Sequence, residues 1–145
     1  MFLGQYLLSL GDDRSVEIPA AFQGLLAQGA YITRGFEQDL LIMTNKKFQE
    51  TSRRVAALNM ADPAVRLLSR LILAHASPLD IDANGRALIP DELAAFAGVQ
   101  KEIILVGQGD YIEAWSPSAW EKQSSLLMDY EANSARFAQL DLSLV

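Results

Sequence analysis

Cysteine is absent from this 145-residue sequence. That excludes disulfides, thiolate metal ligands and cysteine nucleophiles, and it permits a reducing compartment. Histidine occurs once, at His75, with no base, nucleophile or metal partner evident around it. Asp80 and Asp82 are the nearest conceivable co-ligands, yet a lone histidine at the end of an apolar helical pattern reads as structural. No apolar run approaches the roughly 18 to 20 residues of a membrane span. The opening MFLGQYLLSLGDD has neither a basic leader nor a small-residue cleavage pattern, so no signal peptide is expected. Phosphate-cradling loops, dinucleotide turns and nucleophile elbows are missing as well. The expectation is therefore no enzyme, no cofactor, no metal, no small-molecule substrate and no membrane partner. Positive charge is also scarce: 12 basic residues face 18 acidic ones, a formal net charge of −6. A broadly basic surface is excluded, while a local basic patch remains open.

Half of the residues are hydrophobic, enough for one compact domain or two small units sharing a core. A short apolar strand over 6–10 leads into a polar bend, Gly11-Asp12-Asp13-Arg14-Ser15. In the strand that follows, Val16 and Ile18 face one side, Ser15 and Glu17 the other. Pro19 opens a short helix that Gly29 is placed to end. Strands over 31–34 and 40–43 flank a bend at Gly35. Thr44-Asn45 caps a helix carrying Phe48, Val55 and Leu58. Asp62-Pro63 starts another, with Val65, Leu68, Leu71 and Ile72 at helical spacing, ending near His75.

The pattern then begins again. Ile18-Pro19 before a short helix returns as Ile89-Pro90, a shift of 71. Gly35 returns as Gly107, Leu40 as Ile112, Thr44 as Ser116 and Phe48 as Trp120, a shift of 72. The chain reads as a tandem duplication with pseudo-two-fold symmetry, its halves covering 1–72 and 73–145. Ser116-Pro117 caps a helix with Trp120, Leu127 and Tyr130, and an amphipathic segment with Phe137 and Leu140 follows. The apolar end, Leu142, Leu144 and Val145, is expected to pack on a neighbour or to fray. Trp115 and Trp120 read as core or interface anchors.

The duplication makes the bend at 11–15 the positional partner of Asp82-Ala83-Asn84-Gly85-Arg86. There Asn84-Gly85 is strong tight-turn chemistry, and a guanidinium stands one residue past the bend. With repeat and turn in view, the chain resembles the MraZ family, which is built from two AbrB-like swapped-hairpin halves. The resemblance is carried by MFLGQYLLSL, by RLILAHASPLDIDANGRALIP over 70–90 and by EIILVGQGDYIEAWSPSAWE over 102–121. It implies an α+β fold in which two strand–turn–strand units interleave into a pseudo-two-fold β-barrel with peripheral helices. It also implies a cytoplasmic, nucleoid-associated transcriptional regulator of a division and cell-wall gene cluster. Such a protein binds direct repeats of double-stranded DNA as a ring-shaped homo-oligomer.

In that family each half carries an Asp-x-Lys-Gly-Arg turn whose basic residues face DNA. The second half keeps Asp82, Gly85 and Arg86, with Asn84 at the lysine position. In the first half Gly11, Asp13, Arg14 and Ser15 fall on the Asp, Lys, Gly and Arg positions, with Asp12 between them. The resemblance thus assigns DNA contact to Arg86 and Asn84 and a degraded share to Arg14, with Asp82, Gly85, Asp12 and Asp13 shaping the turns. The plainer reading pairs Arg86 with Asp82 inside the turn and leaves Arg14 solvated or paired with Asp12 and Asp13. Arg53, Arg54, Arg66 and Arg70 read as a solvated helical face or an inter-subunit salt-bridge set. The competing function is an interaction or scaffold protein that keeps the ring but no longer binds DNA.

Overall fold

The computed structural model describes residues 1–141, so Leu142, Leu144 and Val145 lie outside the described residues. The elements run β1 (Gln5–Ser9), β2 (Ser15–Glu17), α1 (Ala20–Leu26), β3 (Ala30–Arg34), β4 (Leu40–Thr44), α2 (Asn45–Ala56) and α3 (Pro63–Leu73). The same order follows as β5 (Ser77–Leu79), β6 (Arg86–Leu88), α4 (Asp91–Ala97), β7 (Glu102–Gly107), β8 (Ile112–Trp115), α5 (Pro117–Leu127) and α6 (Tyr130–Ala138). The fold is mixed α+β.

The helix starts follow from local chemistry. Pro19 and Pro90 adopt nearly the same backbone angles, φ −51° and −56°, directly before α1 and α4. At α2 the Thr44 hydroxyl accepts from the Lys47 N–H, and at α5 Ser116 Oγ accepts from the Ala119 N–H. Asp62 and Asp129 cap α3 and α6 through carboxylate bonds to Ala64 N–H and Ala132 N–H. Each cap satisfies a backbone donor that the helix itself cannot.

Six strands form one antiparallel sheet in the order β1-β7-β8-β4-β3-β5. The β3–β4 and β7–β8 hairpins meet at its centre, where Leu40 faces Ala114 and Ile42 faces Ile112. At the flanks the chain crosses over: β1 lies beside β7, and β5 lies beside β3. From these two outer strands the chain turns into a separate ribbon, β2 against β6, with Val16 opposite Ala87 and Glu17 opposite Arg86. The main core lies between sheet and ribbon. It takes Val16, Ile18 and Phe22 from the first run of elements and Ala87, Ile89 and Leu93 from the second. Phe22 and Leu26 are larger than Leu93 and Ala97, the residues one repeat on, so large and small side chains fill a shared interior. A second, smaller core joins Leu41, Met43 and Ile72 under α2 and α3, on the other face of β4.

Candidate nucleic-acid interface

The turns at 11–15 and 82–86 join β1 to β2 and β5 to β6. Two backbone bonds close each of them. In the first, Gly11 N–H donates to Ser15 O (2.8 Å) and Arg14 N–H to Gly11 O (2.9 Å). In the second, Asp82 N–H donates to Arg86 O (2.8 Å) and Gly85 N–H to Asp82 O (3.0 Å). Both are three-residue loops completed by one residue in the left-handed region. That residue is Arg14 (φ 63°) in the first turn and Gly85 (φ 76°) in the second. The ribbon ties them together reciprocally: Ile18 N–H reaches Gly85 O (2.8 Å), and Ile89 N–H reaches Arg14 O (3.1 Å).

This geometry shows how the Asn84-Gly85 pair makes its tight turn. Only Gly85 of the pair takes positive φ, because the left-handed position follows the turn instead of forming half of it. A side chain at Gly85 would also run into the Gln23 amide, which donates to Ile18 O at 2.7 Å. Asn84 and Asp82 stand exposed at the tip.

The structure also replaces the ion pairs read from sequence. Asp82 Oδ1 accepts from the backbone N–H of Asn84 (2.8 Å) and of Arg86 (3.0 Å), so it braces the loop through the main chain. The Arg86 guanidinium turns away from it and lies along the ribbon. There Nη2 donates to Ser15 Oγ (2.8 Å) and Ser15 O (3.1 Å), and Nε donates to Ser15 Oγ (3.2 Å). Arg14 does not pair with Asp12 or Asp13; its Nε lies 2.8 Å from Asp91 Oδ1. In the first turn Gly11 has no carboxylate to offer, and Asp13 takes over the bracing by accepting from Ser15 N–H (3.0 Å). Hydrogen bonds from the Ser15 hydroxyl and N–H hold the Asp13 carboxyl below its ordinary value.

The two arginines therefore differ in charge balance. Arg86 donates to neutral oxygens, with the Asp13 carboxylate acting on it only through space, whereas Arg14 is paired directly with a carboxylate. Around them Asp12, Asp13, Glu17, Asp82 and Asp91 set an acidic rim. Phosphate oxygens can replace the Ser15 oxygens on Arg86 without stranding a partner charge. At Arg14 they must compete with Asp91.

The other sequence candidates fall elsewhere. His75 Nδ1 lies 3.2 Å from Glu92 Oε1, and Arg34 Nη2 is 3.7 Å from the same oxygen. Among the described residues no group of three or more metal-ligating side chains is placed to hold an ion. Trp115 is buried, and Trp120 donates through Nε1 to Gln5 Oε1 at 2.9 Å. Arg53, Arg54 and Arg70 stand exposed on α2 and α3, while Arg66 Nη1 donates to Met60 O and Ala61 O. Sequence reasoning missed Ser15 and Asp91 as the arginine partners. The signal for Ser15 was present, since the shift of 71 makes Ser15 and Arg86 equivalent positions on two paired strands.

The fold is an antiparallel α+β one in which two like runs of elements share a strand ribbon that carries two matched turns. The family model described as "MraZ protein, putative antitoxin-like" matches residues 72–141. The chain is 35% identical over 127 residues to a protein of Thermomicrobium roseum, covering 88% of this chain and 89% of that one. It is 34% identical to a protein of Roseiflexus castenholzii, covering 96% and 95%, and 36% identical to one of Herpetosiphon aurantiacus, covering 83% and 85%. Each of the three is named Transcriptional regulator MraZ. The chain belongs to the MraZ family.

Proposed function

We propose that this protein is a transcriptional regulator that binds double-stranded DNA through the 82–86 turn. Arg86 makes the main contact, Asn84 adjoins it, and Arg14 contributes less. In this reading the halves 1–72 and 73–145 form a swapped-hairpin barrel, with the β2–β6 ribbon joining the two flanks of the six-stranded sheet. Copies assemble into a ring in the cytoplasm at the nucleoid, on direct repeats upstream of a division and cell-wall gene cluster. The relatives' shared name supports the regulator role over most of the chain's length. The observation that carries the site is the neutral engagement of Arg86 by Ser15, against the carboxylate on Arg14. A planar guanidinium released from Ser15 suits a bidentate grip on phosphate or a guanine edge. A ring would offset the acidic rim by presenting several turns at once.

An anisotropy titration against DNA upstream of the protein's own gene tests the reading. Arg86→Ala is expected to weaken binding by roughly 10- to 100-fold, the range of one good bidentate contact, and Arg14→Ala by less. Absence of binding at low salt, with the oligomer intact by light scattering, would sink the reading in favour of the scaffold role. The reverse order of the two variants would move the main contact to Arg14.

A further inference from the structure

Away from the turns, a cavity of about 540 Å³ opens between α2, α3 and the face of β4 and β8 that is turned from the main core. Its apolar wall is built by Leu41, Met43, Val55, Leu68 and Ile72. Alternation along β4 makes it: Leu40 and Ile42 enter the main core, so Leu41 and Met43 point the other way. At one end stand the carboxylates of Asp39 and Glu113, with the phenol of Tyr111 beside them and Glu37 near the mouth. Since Leu41 faces Glu113 across the strands, Asp39 is its diagonal neighbour on the same face.

Asp39 is only 2% exposed, and an unusual turn holds it in place. Gln38 takes φ 64°, and a side chain at Gly35 would collide with the Asp39 carboxylate. One oxygen, Oδ1, accepts from Glu37 N–H at 3.1 Å, and the Glu113 carboxyl stands within hydrogen-bond reach of the Asp39 carboxyl. Glu113 Oε1 accepts from Trp115 Nε1 and Gln108 Nε2, each at 3.2 Å. Burial pushes all three titratable groups, Asp39, Glu113 and Tyr111, above their ordinary values, and the neighbouring carboxylates add to the effect. A strained turn, desolvated acids and an apolar cavity of ligand size converge on one place. The cations on the lining, Lys47 and Arg54, come from α2; Lys47 pairs with Asp110 at 3.4 Å.

We propose that this cavity is a ligand site for a small cationic amphiphile, a protonated amine on an aromatic or alkyl body. The ammonium would sit against Asp39 and Glu113, relieving their mutual repulsion, while the body fills the apolar wall. Titration of the full chain with 4-phenylbutylamine, followed by calorimetry and by the fluorescence of Trp115 beside Glu113, tests this. The matched probes are 4-phenylbutanol and 4-phenylbutyrate. One amine is expected per chain, bound roughly tenfold more tightly than the alcohol, with the carboxylate weakest. Glu113→Gln should erase the preference for the amine while leaving the alcohol's affinity in place. Thr51→Trp, which fills the cavity from α2, should abolish binding of both with the thermal melt retained. Equal affinity for the three probes, amine binding unchanged in Glu113→Gln, or binding that survives Thr51→Trp would each overturn the proposal. So would amine binding too weak to detect together with an oligomer that falls apart in Thr51→Trp, because the cavity would then be a contact between copies of the chain.

Discussion

The turns at 11–15 and 82–86 share a backbone and differ in nearly every side chain that matters. Both close with the same pair of main-chain bonds, and both send a carbonyl to the isoleucine of the opposite strand. At the left-handed position, however, one has glycine and the other arginine. The carboxylate brace sits at the first residue in one and the third in the other. The residue after the bend is arginine in one and serine in the other, and those two residues bind each other. The backbone of a hairpin is set by strand pairing and loop length, and these are matched in the two turns. Exposed side chains are free of that constraint, so the two loops can differ in chemistry while keeping one shape.

The largest expected effect tests the shared backbone. Gly85→Ala places a side chain at positive φ and against the Gln23 amide, and should cost about 2 kcal/mol in urea unfolding. A loss below a few tenths would mean that the second turn tolerates a side chain as the first already does. Ser15→Arg restores the residue type that the second turn carries. It removes the hydroxyl acceptor for Arg86, leaving only the backbone carbonyl, and sets two guanidiniums side by side, so stability should fall by about 1 kcal/mol. On the proposed DNA contact, each added phosphate neutralisation steepens the logarithmic salt dependence by about 0.9. An unchanged salt slope would show that the first turn does not approach DNA even when its arginine is restored.

Arg14→Gly makes the first turn's backbone like the second's. Relief at the left-handed position is worth about 1 kcal/mol, and the lost pair with Asp91 costs less, since exposed ion pairs contribute roughly 0.2 to 1 kcal/mol. A net gain of about 0.5 kcal/mol is expected in urea unfolding at fixed protein concentration. A clear loss would mean that Asp91 holds the first turn in place.

Much of this architecture was legible before the structure. The shift of 71 places both turns in register, and the capping residues Thr44, Asp62 and Ser116 mark three helix starts, because capping chemistry is local. The arginine partners were hidden because they are not local. Arg86 meets Ser15 only once β2 is known to lie beside β6, and Arg14 meets Asp91 across the same ribbon. Asp39 and Glu113 were hidden for another reason. In Ile112-Glu113-Ala114 the alternation reads as one face out, but α2 and α3 cover that face and Tyr111 flanks it. Only tertiary packing turns a solvent-facing glutamate into a desolvated one.

The smallest effect separates the turn's own carboxylate from the buried ones by sign. Hydrogen bonds from Ser15 lower the Asp13 carboxyl below its ordinary 3.8. A group with a depressed folded value stabilises the native state above its unfolded value, and that contribution is lost as pH falls through the folded one. Asp13→Asn should therefore flatten the acid limb of the stability curve slightly, because the Ser15 N–H and hydroxyl are left with a weaker, neutral acceptor. Asp39 and Glu113 run the other way: their raised values favour the protonated native state at low pH, and stability declines as pH rises through those values. Asp39→Asn should accordingly gain relative stability near neutrality and little at acid pH. Urea midpoints for the two variants, measured between about pH 3 and pH 7, should move apart in opposite directions. Parallel curves would mean that the first turn's aspartate is not braced by Ser15 in solution, and that the loop closes through its main chain alone.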